Sequence, residues 1–128
     1  MRLAFLVAKA LLEGDFASYF AGVPSAAVDP EPIVVREGAF SREALMDGEE
    51  RGRVDVRVLV VRDEEAAAER DADACERWLR SFGWEAASRD GRWRVCGMDT
   101  TAPAIVGRDG SGRYVCSFEV RLTVVRSL

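Results

Sequence analysis

The C-terminal run RYVCSFEVRLTVV, residues 113–125, constrains the fold most strongly, because apolar and polar side chains alternate along nearly all of it. Successive side chains of a β-strand point to opposite faces of a sheet, so the alternation predicts a long strand with one buried face. The predicted buried face carries Tyr114, Cys116, Phe118, Val120, Leu122 and Val124. The predicted exposed face carries Arg113, Ser117, Glu119, Arg121 and Thr123.

A second alternating run, RVDVRVLVV, covers residues 53–61 and predicts another half-buried strand. Its even-numbered valines face one side, and Asp55 and Arg57 face the other. A helix is predicted to follow, with Asp63 as its N-cap and Gly83 at its end. Its apolar stripe advances in steps of four and three residues through Ala68, Ala72, Cys75, Leu79 and Phe82.

Weaker patterns complete the predicted order of elements. A short, largely buried helix is predicted over residues 2–12, with strands over 32–37 and around 92–96. The expected architecture is an α+β fold: a mostly antiparallel sheet with two helices packed on one face, in the order α-β-(loop)-β-α-β-β. A length of 128 residues is typical of one domain, so a single domain over residues 1–128 is expected.

The stretch GAFSREALMDGEERG, residues 38–52, interrupts these patterns. Its glycines at positions 38, 48 and 52 and its clustered charges predict a long, flexible loop. The other interpretation is a helical turn over residues 41–46 that Ser41 caps.

The composition argues against several functional classes. The chain has no histidine, which removes the commonest general base, the commonest metal ligand and every Ser-His or Cys-His nucleophile pair. Cys75, Cys96 and Cys116 show no CxxC spacing, so buried structural thiols are predicted rather than a zinc site or disulfides. A net charge of -4 argues against a dedicated nucleic-acid binder. We therefore expect no enzymatic activity, no cofactor and no metal.

The N-terminal run LAFLVAKALL, residues 3–12, has some likeness to a signal peptide. Lys9 interrupts the run, no small-residue cleavage site follows, and about ten residues are too few to span a bilayer. A cytoplasmic protein without a membrane partner is expected.

The glycine-rich stretch GRDGSG, residues 107–112, is compatible with a phosphate loop or with a turn. The common phosphate loops are followed by a helix, whereas here a strand follows. Asp109-Gly110 is a favoured hairpin pair, and Gly112 can adopt a positive φ just before the strand. A hairpin turn is predicted.

Charges of both signs are predicted on the exposed side of the sheet. Opposed charges on neighbouring strands stabilise a hairpin by roughly 0.2–1 kcal/mol per pair. A two-sign, arginine-rich face also suits a subunit interface. The sequence leaves both interpretations open.

The C-terminal half, over residues 53–126, resembles a known family. After the strand RVDVRVLVV and a helix with an acidic start, a proline and a short apolar run precede an aspartate-glycine turn and a hydrophobic strand. The matching residues are Pro103, Ile105, Gly107, Asp109, Gly112, Arg113, Tyr114 and Phe118. The pattern resembles the tail terminator (minor capsid or tail-completion) proteins of long-tailed phages and prophages.

The resemblance implies a non-enzymatic virion protein at the head–tail junction, whose copies form a ring, usually a hexamer, that caps the tail tube. The implied partners are further copies of the chain and the tail-tube and head-connector proteins, with no specific nucleic-acid binding. The candidate interface residues are Arg57, Arg92, Arg94, Glu119 and Arg121 on the sheet, with Phe40, Arg42 and Met46 in the predicted loop. The alternative is a host small-molecule-binding or regulatory module with an apolar pocket around Trp78, Trp84 and Trp93.

Overall fold

The computed structural model describes residues 3–20, 22–46, 48–82, 84 and 92–127. They form two helices and five strands: α1 (Ala4–Glu13), β1 (Ile33–Met46), β2 (Glu49–Arg62), α2 (Glu65–Ser81), β3 (Trp93–Thr100), β4 (Ala104–Arg108) and β5 (Tyr114–Ser127). The strands of the sheet pair antiparallel throughout. The predicted α+β fold is confirmed, and the order of its elements is roughly the predicted one.

The sheet is organised around β5, the strand with the clearest alternation in the sequence. The strand order is β1-β2-β5-β3, and β4 also pairs with β5. On one side β5 pairs with the whole of β2, from Glu49 opposite Ser127 to Arg62 opposite Tyr114. This register places the apolar positions of the two strands opposite each other, so that both contribute to one buried face.

On its other side, β5 pairs first with β3 and then with β4. The two strands run consecutively along the same edge, and residues 101–103 separate them. At this break the Glu119 amide donates to the Thr101 hydroxyl oxygen at 2.8 Å, and the Thr101 amide donates to the Glu119 carbonyl. The Thr101 hydroxyl thus takes the place of a backbone acceptor for the Glu119 amide. Pro103, which has no N–H to donate to a strand ladder, follows two residues later.

The core lies between the sheet and the two helices. It contains the even-numbered valines 54 to 60 of β2 and the apolar stripe of α2. Trp78 joins the helices, because its indole Nε1 donates to the Ala10 carbonyl of α1 at 2.7 Å. The β5 residues in this core are Cys116, Phe118, Val120, Leu122 and Val124.

The prediction of a loop over residues 38–52 is wrong for the described residues of that range. β1 continues to Met46 and β2 begins at Glu49, with Gly48 in the turn at a φ of 73°. The register shifts between Glu37 and Phe40 and again between Arg42 and Ala44, which breaks the period of two that would have marked a strand. The helical turn over 41–46 is also absent, because these residues belong to β1.

Two glycines of this hairpin mark close contacts rather than loop positions. A Cβ on Gly38 would lie 2.6 Å from the Asp55 carbonyl oxygen, and one on Gly52 would lie 2.4 Å from the Phe40 ring. Glycine inside a strand often marks such an approach. The residue type that suggested a loop is therefore required by the packing of the strand pair.

Other boundaries differ by a few residues. α1 begins at Ala4, and β4 forms where no separate strand was predicted. The cap position of α2 is Glu64 rather than Asp63, and no side chain caps it. Gly83, which was predicted to end α2, lies outside the described residues.

Candidate subunit interface

The sheet face opposite the helices carries the odd-numbered residues of β2 and β5, and we call it the open face. Its register places Asp55 opposite Arg121 and Arg57 opposite Glu119. β3 adds Asp99 opposite Arg121 and Arg94 opposite Val125. The open face therefore has rows of charge that run across neighbouring strands.

Ion pairs connect several of these side chains. Arg57 lies 3.1 Å from Glu119, whose other oxygen lies 3.9 Å from Arg121. On β2, Arg53 lies 3.3 Å from Asp55. The arginines of these pairs are 42–55% exposed, and exposed pairs contribute about 0–1 kcal/mol each, so the pattern adds little to stability.

The open face has an excess of positive charge, although the whole chain carries -4. Its arginines are Arg36, Arg51, Arg53, Arg57, Arg94 and Arg121, and its carboxylates are Glu49, Asp55, Asp99 and Glu119. Among the described residues, Arg36, Arg51 and Arg94 form no ion pair.

Arg113 holds the irregular segment before β1 against one end of the sheet. Its guanidinium is 3% exposed, pairs with Asp109 at 2.7 Å and donates to the carbonyls of Pro24, Asp29 and Pro30. The prediction placed Arg113 on the exposed face, and it is wrong because these acceptors come from a segment about 85 positions away, which no local pattern reveals.

The GRDGSG stretch is a turn, as predicted. The Asp109 amide donates to the Arg113 carbonyl, the Gly112 amide donates to the Asp109 carbonyl, and Gly112 has a φ of 80°. Desolvation opposes the ionisation of Asp109, but hydrogen bonds from the backbone and guanidinium of Arg113 and from the Ser111 amide outweigh it and lower its pKa. Its carboxylate therefore binds the turn itself.

Arg62 forms the second buried arginine site. It is 8% exposed, pairs with Asp71 of α2 at 2.8 Å and donates to the Glu31 and Val61 carbonyls. Desolvation alone would raise the Asp71 pKa, yet hydrogen bonds from Arg62 and Arg70 lower it. Asp71 is therefore half-buried and paired rather than a solvated surface charge.

The predicted interface residues fall on two sides of the sheet. Arg57, Arg94, Glu119 and Arg121 share the open face, and Arg92 is exposed immediately before β3. Phe40 lies on the helix side, with its ring 4.8 Å from that of Trp93, and Arg42 pairs opposite Gly52. Met46 is the last residue of β1. Their role in an interface stays a prediction.

The tryptophans fall into two separate aromatic clusters. Trp78 and Trp84 both contact Phe82, with ring centroids 6.1 and 5.5 Å away, whereas Trp93 packs on Phe40 and beneath the Arg126 guanidinium. The groove beside Trp78, of about 450 Å³, is lined by Gly14, Phe16, Ala74, Arg77 and Ser81 and lacks the other two indoles.

The cysteines divide by burial. Cys75 and Cys116 are buried as predicted, and desolvation raises their pKa values to about 12 and about 11. Cys96 is exposed, so the prediction for it is wrong. It lies where the β3–β5 register shifts between Val95 and Gly97, and the bulge removes it from the pairing that buries its neighbours.

A comparison with protein families tests the resemblance that the sequence suggested. The model of the bacteriophage tail terminator protein family matches residues 9–126. The chain belongs to this family. The predicted resemblance, which rested on residues 53–126, is thereby confirmed, and the match also covers β1 and the second half of α1. No curated protein matches the chain.

Membership identifies this tail terminator as a phage tail component of a structural family. None of its described helices is long and apolar enough to cross a membrane. Within the described ranges, no three histidine, cysteine or acidic side chains are grouped so that they could hold a metal ion.

Proposed function

We propose that this tail terminator is a non-enzymatic subunit that assembles with further copies into a ring, a hexamer by its resemblance to the family, which caps the tail tube. In this role it binds tail-tube and head-connector proteins at the head–tail junction, after synthesis in the cytoplasm, without membrane or sequence-specific nucleic-acid contacts. Family membership supports the structural role. The proposal that the subunit assembles rests on one observation, the charged open face.

The open face suits a protein partner better than it suits the stability of the monomer. Antiparallel sheets commonly leave one face to solvent, so exposure alone is no argument. Here, however, side chains of both signs are concentrated on one sheet face where their pairs contribute little to folding. Ordered charges of this kind fix the register and orientation of a partner.

Face-to-face contact is also favoured over pairing of strand edges. β1, one edge strand, has two register shifts, and β3 on the other edge has one between Val95 and Gly97. Bulges twist an edge away from a regular ladder and discourage edge-to-edge addition. A closed ring needs two different complementary patches on each subunit, and faces can supply them.

The direct test is the oligomeric state of the purified chain, from light scattering after size exclusion and from electron microscopy, with and without tail-tube subunits. A ring that binds the ends of assembled tubes is the expected result. The proposal fails if the chain stays monomeric at high concentration and does not bind tubes. Complementation of a phage that lacks its terminator gives an independent readout.

A further inference from the structure

The exposed surface of α2 has an order of charges that complements the open face. From Asp63 to Asp73 the chain has six acidic residues and one arginine, Arg70, whereas Arg77 and Arg80 follow near the end of the helix. The molecule thus has an acidic surface on its helix side and an arginine-rich surface on the opposite side of the sheet. Asp71 is excluded from this surface because it pairs with Arg62.

On the open face, two arginines flank β5. Arg51 on β2 and Arg94 on β3 both lie opposite Val125. They flank β5 at a separation of two strand spacings, about 10 Å, which is close to the diameter of a helix. The small side chains of Thr123 and Val125 form the floor between the arginines.

Charges on the two surfaces match in order and spacing. Glu69, Asp73 and Arg77, the helix row, are exposed at intervals of four residues and span about 12 Å. Arg51, Arg53 and Asp55, the strand row, lie on the open face at intervals of two residues and span about 13 Å. The signs are negative, negative and positive on the helix and positive, positive and negative on the strand.

We infer that the open face of one subunit binds α2 of a second copy, with the helix row of the neighbour against the strand row. This inference rests on the proposed ring. The two surfaces are different and lie on separate sides of one chain, and a heterologous ring requires two different complementary patches on each subunit. Within the described part of the subunit, the Asp55 Oδ1 atom and the Arg121 Nε atom form ion pairs with Arg53 and Glu119 but no hydrogen bond.

A nucleic acid fits the same face less well. Asp55, Asp99 and Glu119 lie among the arginines and would repel a phosphate backbone. The helix row instead ends in a cation, Arg77, at the position that faces Asp55. The alternation of sign therefore selects a protein surface with both charges.

Two charge-reversed double variants test the contact. Glu69→Lys with Asp73→Lys changes the helix row, and Arg51→Glu with Arg53→Glu changes the strand row. Each variant alone should weaken assembly at least about tenfold, because like charges then face each other. An equimolar mixture should restore assembly, since each helix then meets an open face of opposite charge. Circular dichroism and urea unfolding of each variant verify the fold.

Glu65→Lys is the matched control from the same helix. Glu65 lies one step before the helix row, at the position that faces Glu49, so its reversal replaces a contact between like charges with one between opposite charges and should not weaken assembly. If Glu65→Lys disrupts assembly as strongly as the helix-row variant, assembly depends on the overall acidity of α2 and not on the matched positions. The inference is then wrong.

Two other outcomes also overturn the inference. In the first, the wild type assembles and both folded double variants assemble equally well, which leaves the proposed ring intact. In the second, Arg51→Glu with Arg53→Glu abolishes binding of a DNA duplex while assembly is unchanged. A wild-type chain that is monomeric and does not bind tail tubes contradicts the proposed function itself.

Discussion

Arg62 and Asp71 form an ion pair at 2.8 Å that joins the end of β2 to the second turn of α2. Arg62 also donates to the Glu31 and Pro32 carbonyls just before β1, so one guanidinium connects three parts of the chain. A buried cation is tolerated only with such compensation. The pair thus fixes α2, and with it the helix row, relative to the sheet.

Asp71→Asn should reduce the free energy of unfolding by about 1–3 kcal/mol near neutral pH, because Arg62 loses its charged partner. The folded-state pKa of Asp71 is lowered, so its stabilisation is present above the unfolded-state value of about 3.9 and is lost as pH falls through the folded-state pKa. The wild type should therefore lose more stability than Asp71→Asn between pH 6 and pH 3, as measured by urea unfolding.

Asp73→Asn is the control, since Asp73 is exposed and forms no ion pair within the described part of the chain. It should change stability little at either pH. If Asp71→Asn retained the full acid sensitivity of the wild type, the Arg62–Asp71 pair would not be its source.

Arg113→Met should release the segment that precedes β1. The variant loses the donors to the Pro24, Asp29 and Pro30 carbonyls, so thermolysin should cleave between residues 20 and 31 much faster than in the wild type. The Tm should fall by about 5–10 °C. Arg36→Met, which changes an exposed arginine of β1, should alter neither result; unchanged proteolysis of Arg113→Met would refute the anchoring role.

Gly52→Ala should destabilise the β1–β2 hairpin. Its Cβ would lie 2.4 Å from the Phe40 ring and 2.5 Å from the Ser41 carbonyl oxygen, and overpacking of this kind costs about 1–3 kcal/mol. Gly110→Ala, whose Cβ would meet no atom within 4 Å, serves as the control in the same unfolding assay. Phe40→Leu should restore part of the loss in the double variant, and equal stability of both glycine variants would contradict the steric argument.

A single thiol should react with Ellman's reagent at pH 8 in the native state, and all three should react in guanidinium chloride. Cys96 is exposed, whereas burial raises the pKa values of Cys75 to about 12 and Cys116 to about 11, which leaves almost no thiolate. Cys96→Ser should abolish the native reaction. A remaining rapid reaction in this variant would show that a core thiol is accessible.

The sequence alone determined the strands and helix that have a regular period. β2, α2 and β5 have apolar periods of two or 3.6 residues because one side of each is buried. The order of apolar residues within each segment therefore indicates which side is buried. The same regularity supported the family resemblance over residues 53–126. The exposed charges Asp55, Arg57, Glu119 and Arg121 also followed from it, because β2 and β5 pair without a register shift.

Only the tertiary structure decided the features that depend on distant residues. β1 has bulges that interrupt its period. Gly38 and Gly52 have no room for a side chain, because Asp55 and Phe40 on the paired strand lie too close to them. Arg62 and Arg113 can be buried because carbonyl oxygens of residues 24–32 accept hydrogen bonds from their guanidinium groups. Cys96 is exposed because a bulge removes it from pairing. A local pattern records the burial of an element, but not which distant atoms meet a given side chain.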